Sequence, residues 1–282
     1  MFLNKKAVLF IPSGKSKEEV LPYITHMAIG AHQDDLEIMS YHGIASCYKQ
    51  ADKSYFGVVV TDGGGSARSG AYANYTDEEM KQVRFQEQEK AAVLGEFGAL
   101  AQLQYSSKET KDPHNQVLVQ EFAQLIQLAK PDILYTHNLA DKHDTHIGVT
   151  TKVIQAIRSL PVENRPKALY GCEVWRDLDW LEDNHKVCLD ASFYPALASE
   201  LVKLFDSQIS GGKRYDLATL GRRLANATFF QSHQVDTSNA VTYAMDLTPL
   251  IKDDSLSITD YVTSFIDSFK QDVTQRITKI LP

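Results

Sequence analysis

Two short stretches gather the residues best suited to metal-assisted chemistry. One is Ala31-His32-Gln33-Asp34-Asp35-Leu36-Glu37; the other is Asp141-Lys142-His143-Asp144-Thr145-His146, a few residues after Tyr135-Thr136-His137. Neutral imidazoles and carboxylates are standard ligands of a divalent metal, and a catalytic zinc takes three protein ligands plus a water. His32 and Asp35 lie three apart across a strand-to-helix turn and can converge on one point, so Asp34 between them must point elsewhere. His143 and His146 are three apart at a helix start and share a face. These directions give a workable assignment in which His32, Asp35 and His146 bind the metal and a position stays open for water. That water would ionise far more easily than bulk water. Asp34, beside it but off the metal, is the natural general base. A protonated His143 would stabilise the oxyanion of a tetrahedral intermediate and then help protonate the leaving amine.

The elements that must position these residues follow from periodicity. Thr25–Ala31 reads as a buried strand, followed by a helix from about Asp35 to Lys49. Ser54–Thr61 is a second strand that ends in the turn Asp62-Gly63-Gly64-Gly65. Asp77–Leu94 is helical, Leu100–Tyr105 a third strand, and Gln116–Ala129 a helix with one apolar face. Ile133–His137 is a strand, followed by a helix from about Asp144 to Leu160. Strands separated by helices predict parallel βαβ units, hence a Rossmann-like, mostly parallel α/β sheet with helices on both faces. Ligands of such sheets sit beyond the carboxyl ends of the strands, which is where both His/Asp stretches fall. The second half predicts α/β additions: strands at Ala168–Trp175, His185–Asp190 and Ala240–Asp246, with helices at Pro195–Gln208, Tyr215–Ala227 and Ser257–Ile280. The expectation is one domain over 1–282, with a catalytic core of about 20–165 and a cover of about 166–282.

Composition sets outer limits. The chain has 282 residues, 29 basic against 36 acidic, for a formal charge of −7. That balance argues against a phosphate-tracking basic surface, so nucleic acid is not an expected partner. Cys47, Cys172 and Cys188 stand apart with no CxxC pair, which excludes a disulfide scaffold and suits a reducing cytosol. The N-terminal MFLNKKAVLFIPSGK lacks the pattern of a signal peptide, and no apolar run is long enough for a membrane span. A cytoplasmic protein is expected, and a homo-oligomer is compatible with the sequence.

The same residues carry a family resemblance. GAHQDDLE resembles the A-H-P-D-D-E signature of the PIG-L/LmbE-like deacetylases, and HDTH resembles their H-P-D-H motif. The resemblance implies a zinc-dependent amidase that removes an acetyl group from an N-acetylglucosamine-type sugar. Carried over residue by residue, it gives His32, Asp35 and His146 as metal ligands, Asp34 as base and His143 on the oxyanion side. Thr61-Asp62-Gly63-Gly64 resembles the end of the family's second strand, and Asp62 is placed with the substrate-binding residues. Arg84 with Glu87, followed by Ala91-Ala92-Val93-Leu94-Gly95, resembles its R-x-x-E helix, whose arginine reaches the sugar ring. The likeness covers roughly residues 25–155. Gln33 replaces the usual proline, HDTH lacks a proline and moves its acid to Asp144, and Phe205-Asp206-Ser207-Gln208 resembles an H-x-S-Q segment without its histidine.

Plainer roles compete for single residues. Asp34, Asp35 and Glu37 could cap a helix, and Asp141 could mark a helix start. His137 suits a hydrogen-bonded structural role, and Arg84 on an acid-rich helix suits an ion pair. The three cysteines read as buried small apolar groups. Taken together, the two clusters favour a metal-dependent deacetylase acting on a small amino-sugar substrate. The rival readings are another metal hydrolase or deaminase on the same site, and a sugar-binding module with a relic site.

Overall fold

The computed structural model describes residues 2–282. Its strands are β1 (Val8–Phe10), β2 (His26–Gly30), β3 (Tyr55–Thr61), β4 (Ala99–Tyr105), β5 (Ile133–His137), β6 (Ala168–Cys172), β7 (Lys186–Asp190) and β8 (Val241–Asp246). They form one eight-stranded sheet in the order β1-β4-β3-β2-β5-β6-β8-β7. From β4 to β6 every pairing is parallel. The edges, β1 on β4 and β8 between β6 and β7, are antiparallel. The helices of the first half are α1 (Lys17–Val20), α2 (Asp35–Met39), α3 (Tyr41–Cys47), α4 (Asp77–Leu94), α5 (Ser107–Lys111), α6 (Gln116–Ala129) and α7 (Asp144–Arg158). Those of the second half are α8 (Pro195–Lys203), α9 (Asp206–Ile209), α10 (Tyr215–Phe229), α11 (Thr248–Lys252) and α12 (Ile258–Ile280).

Successive strand residues face opposite sides, and each side has its own core. Met27, Ile29, Phe56 and Val58 pack with Leu118, Phe122 and Leu125 of α6 and Val149 and Val153 of α7. Ala28, Tyr55 and Val59 pack on the other face with Tyr41 and Ile44 of α3, Ala91 of α4 and Leu197 and Leu201 of α8. Every residue of β2 and β3 is buried, as continuous apolar runs in a parallel sheet require. The expected α/β sheet with helices on both faces is therefore present, and its C-terminal additions extend the same sheet.

Strand order places the site. From β2 the chain moves outward through β3 and β4, then crosses back to β5 on the other side of β2. The carboxyl ends of β2 and β5 thus flank the point where the order reverses, the usual ligand crevice of such sheets.

Some boundaries differ from expectation for local reasons. The helix expected from Asp35 to Lys49 breaks at Ser40, whose hydroxyl bonds the Leu36 carbonyl (2.7 Å) and pairs with the Tyr55 hydroxyl (2.6 Å). The helix expected over Pro195–Gln208 breaks at Phe205, which is fully buried and leaves helical geometry at ψ 57°. β1 went unforeseen because its three residues are only half-buried or exposed and show no alternation. Cys47 and Cys172 are buried as expected, but Cys188 is exposed on the antiparallel edge. Among the described residues, no helix is long and apolar enough to cross a membrane.

Candidate metal centre and active site

His32 follows β2, and Asp35 is the first residue of α2. Between them Asp34 adopts a left-handed backbone, φ 88° and ψ −28°, a conformation that aspartate tolerates better than most residues. Its position is that of an N-cap, yet its carboxylate makes no capping bond. Asp34 Oδ2 instead lies 3.2 Å from Arg84 Nη2, while its backbone N–H donates to Gln88 Oε1 at 3.2 Å. Two neighbouring carboxylates are thereby sent to different partners.

Asp35 Oδ2 lies 3.2 Å from His32 Nδ1 and 3.4 Å from His146 Nε2, and those two nitrogens are 3.2 Å apart. Donor atoms on a tetrahedral zinc with bonds of about 2.0–2.1 Å stand about 3.3 Å from one another. The three atoms are therefore spaced as one face of such a tetrahedron, and the donor set fits the ion. Asp141 fixes the state of one ligand: its Oδ2 accepts from His146 Nδ1 at 3.1 Å, leaving the Nε2 lone pair bare. Burial opposes ionisation of Asp35, but the His146 and His137 imidazoles and the bond from His32 hold it far below the usual carboxylate range.

His137 also approaches Asp35, at 3.5 Å, and stacks on His146 with ring centroids 3.7 Å apart. Its Nε2 already accepts the Ala31 N–H at 2.9 Å, so that lone pair is occupied. The arrangement gives His137 a supporting place beneath the ligands.

His143 is the N-cap of α7, and its Nδ1 accepts the Thr145 N–H at 3.3 Å. Burial, together with the neighbouring His146 and His32, lowers its pKa to about 4. It is therefore neutral near pH 7, with its proton on Nε2. Read from sequence, the oxyanion role of His143 is conditional on a protonated ring; here Nδ1 is taken by the Thr145 N–H, so only Nε2 is free to carry a proton.

His32, Asp34, Asp35, Arg84 and His143 line one cavity of about 550 Å³, with His146 fully buried beside them. Arg84 is itself buried, bonded to the Gln33 carbonyl and to Ser66 Oγ at 2.8 Å. Asp62 goes elsewhere. Its carboxylate accepts from Gly64 N–H (3.2 Å) and pairs with Lys81 (3.2 Å), and it lies outside the cavity lining, although Thr61 and Gly63 on either side line it. Glu37 accepts from Gln88 at 2.8 Å, and burial raises its pKa to about 8. Glu87 holds Ser207 through its backbone N–H and hydroxyl, at 2.8 and 2.7 Å, which seats Gln208 in the cavity wall.

Sequence reasoning undervalued Asp141, which also accepts the N–H groups of Lys142, His143, Trp175 and Arg176. Its place five residues before His146 was the available signal. Asp144, considered as an orienting acid, is exposed at the first turn of α7. Trp175, Lys213, Tyr215, Arg222 and Arg223 also line the cavity, and no spacing in the chain links them to the two motifs.

The family model described as PIG-L, GlcNAc-PI de-N-acetylase, matches residues 27–157. Residues 27–157 are similar to the PIG-L family. The matched region holds both His/Asp motifs and Arg84 but ends before Trp175 and α10. No curated protein matches the chain. Among solved structures, N,N'-diacetylchitobiose deacetylase from Pyrococcus horikoshii aligns at 14% identity and TM-score 0.62, over 87% of this chain and 93% of that one. The 4-carboxy-2-hydroxymuconate hydratase of Pseudomonas putida aligns at 14% and TM-score 0.61, over 79% and 96%. A deacetylase of the A40926 pseudoaglycone aligns at 14% and TM-score 0.56, over 80% and 98%. At these identities the likeness is one of fold, and the hydratase shows that the fold carries more than one chemistry.

Proposed function

We propose that this protein is a zinc-dependent N-deacetylase that hydrolyses the acetamido group of an N-acetylated amino sugar or sugar conjugate. The observation that carries the reading is the donor triangle of His32, Asp35 and His146 with the buried Asp34 carboxylate set off it. The PIG-L match and the names of two fold neighbours, one a diacetylchitobiose deacetylase and the other an antimicrobial pseudoaglycone deacetylase, support it. Two imidazoles and a carboxylate suit zinc in a catalytic role, where the ion would activate a water and polarise the acetyl carbonyl.

The chain's own residues supply the rest. Asp34 takes the proton of the attacking water. Burial raises its carboxyl to about 7, although Arg84 pulls the other way, which poises it as a base near neutral pH. His143 donates its Nε2–H to the oxygen that gains charge as the carbonyl becomes tetrahedral. The proton held by Asp34 then passes to the departing amine, giving a free amino sugar and acetate. Free Cys47, Cys172 and Cys188 suit a reducing compartment, and we assign the protein to the cytoplasm on that ground.

Asp34→Asn tests the base. We expect kcat to fall about 10³-fold with bound metal unchanged by elemental analysis. Activity retained at full metal occupancy would reject Asp34. Products separate the rival chemistries: acetate and free amine in equal amounts support deacetylation, whereas ammonia would mark a deaminase. Protein that turns over nothing when loaded with metal would point to a relic site.

A further inference from the structure

α12 is the longest helix, 23 residues, and only its first half is packed. Its start is built into the body. Ser257 Oγ accepts the Asp260 N–H at 3.2 Å, the Tyr261 hydroxyl donates to the Asp246 carbonyl at 2.6 Å, and Val262 is buried. Phe265 meets the His185 ring with centroids 5.1 Å apart, and Ser268 donates to Glu182 at 2.6 Å. From Phe269 onward every residue except the half-buried Asp272 is exposed.

The exposed turns nevertheless keep an apolar face. Ile266, Phe269, Val273, Ile277 and Ile280 follow one another at intervals of three, four, four and three residues, which on an α-helix is one narrow stripe. Ile266 is 45% exposed, Ile277 54% and Ile280 82%. Val273, Thr274, Ile277, Thr278 and Ile280 are all β-branched, so the last turns have little intrinsic helicity to hold them without packing. A helix of this composition calls for a partner that covers its stripe.

The stripe itself points to that partner. Its spacing reads the same from either end, with Val273 at the centre, so it is complementary to its own reverse. The charges agree. Asp260 and Asp267 lie in the first half of α12 and Arg276 and Lys279 in its last turns, while Asp272 pairs with Arg276 along the helix at 2.7 Å. Antiparallel copies set the acidic stretch of each at the level of the basic stretch of the other and oppose their dipoles. Parallel copies would set Asp267 beside Asp267 and Lys279 beside Lys279. A bilayer fits less well: the three aspartates of α12 balance Lys270, Arg276 and Lys279, whereas a helix lying on an anionic membrane has a basic polar face.

We propose that α12 is a self-association surface, on which two copies of this chain pair antiparallel about a two-fold axis at Val273. Ile266 then meets Ile280 of the second copy, and Phe269 meets its Ile277. Such an interface is isologous and closes at two copies. Facing stripes bury on the order of 1,000 Å² in total, the lower edge of a specific interface, so the dimer dissociates on dilution. No residue of α12 lines the His/Asp cavity, so pairing leaves the site open.

Sedimentation velocity of the full chain over about a hundredfold range of concentration tests this. We expect a monomer–dimer equilibrium in the wild type. In Val273→Glu/Ile277→Glu, two positions beyond the packed start of the helix, the dissociation constant rises about a hundredfold or more, with fold checked by the thermal melt at the dilute end. Orientation is read by mild oxidation in a Cys188→Ser background. Val273→Cys cross-links with itself, Ile280→Cys alone does not, and Ile266→Cys mixed with Ile280→Cys gives the mixed dimer. Cross-linking of Ile280→Cys alone would mean parallel pairing and overturn the arrangement. A wild type that stays monomeric throughout, or a dimer that the double Glu variant leaves intact, overturns the proposal. A monomeric wild type that floats with phosphatidylglycerol vesicles, when the double variant does not, overturns it in favour of a membrane face.

Discussion

Asp34 and Asp35 are neighbours in the chain but chemically opposite. Asp35 stands among three imidazoles, which outweigh the cost of burying its charge, so it is a permanent anion suited to holding a cation. Asp34 is turned away by a left-handed backbone step into a buried place with one guanidinium, so its proton is exchangeable near neutral pH. This division was legible in sequence because it depends on adjacent residues on a turn. The part played by Asp141 was not, because four of its five bonds come from backbone N–H groups, two of them across the fold at Trp175 and Arg176. Asp141→Asn puts that part to the test. It keeps the shape but removes the negative charge that holds the His146 Nδ1–H, so metal affinity should fall about 10–100-fold. Competition against a chelator measures this. Unchanged affinity would mean that Asp141 serves only the loop.

At the scale of elements, strongly patterned segments were readable and short edge pieces were not. α6 and α7 have one wide apolar stripe each, and β2 and β3 are continuous apolar runs. β1 has three residues and no such signal, and it is held in place from outside. The buried Glu121 of α6 accepts the N–H groups of Leu3 and Asn4, at 2.9 Å each, and the Tyr105 hydroxyl at 2.9 Å. Asn4 Nδ2 in turn donates to the Leu103 carbonyl at 2.7 Å, so the segment before β1 is latched along β4. A single carboxylate thus ties the N-terminal segment, β4 and α6 together. Glu121→Ala leaves a buried hydroxyl and two amides unpaired and should lower the unfolding free energy by about 2 kcal/mol in urea titrations. A loss below about 0.5 kcal/mol would show that water replaces the carboxylate at no cost.

For the whole molecule, the sequence reading separates a catalytic core of about 20–165 from a later cover, and we propose that this division does not mark a unit able to fold alone. β6 pairs with β5 along five residues, and β8 and β7 continue the sheet from β6. A chain stopped at Arg165 would expose β5 as an unpaired, apolar edge. It would also strip Leu169, Tyr243, Met245, Leu247 and Leu250 from one core and Cys172, Leu197, Leu201 and Phe205 from the other. At roughly 1.5–3 kcal/mol for each large buried side chain, that loss matches or exceeds the whole stability of an ordinary domain. The cavity would lose Trp175 and the α10 wall as well, leaving the His/Asp cluster open to solvent. This dependence was invisible in the sequence because both metal motifs lie in the first half, while their enclosure is built from the second. Residues 1–165 produced alone are expected to aggregate, or to stay soluble without a cooperative thermal transition, as read by size-exclusion chromatography and circular dichroism. A monodisperse fragment with a sharp melt would overturn this and establish the first half as an independent domain.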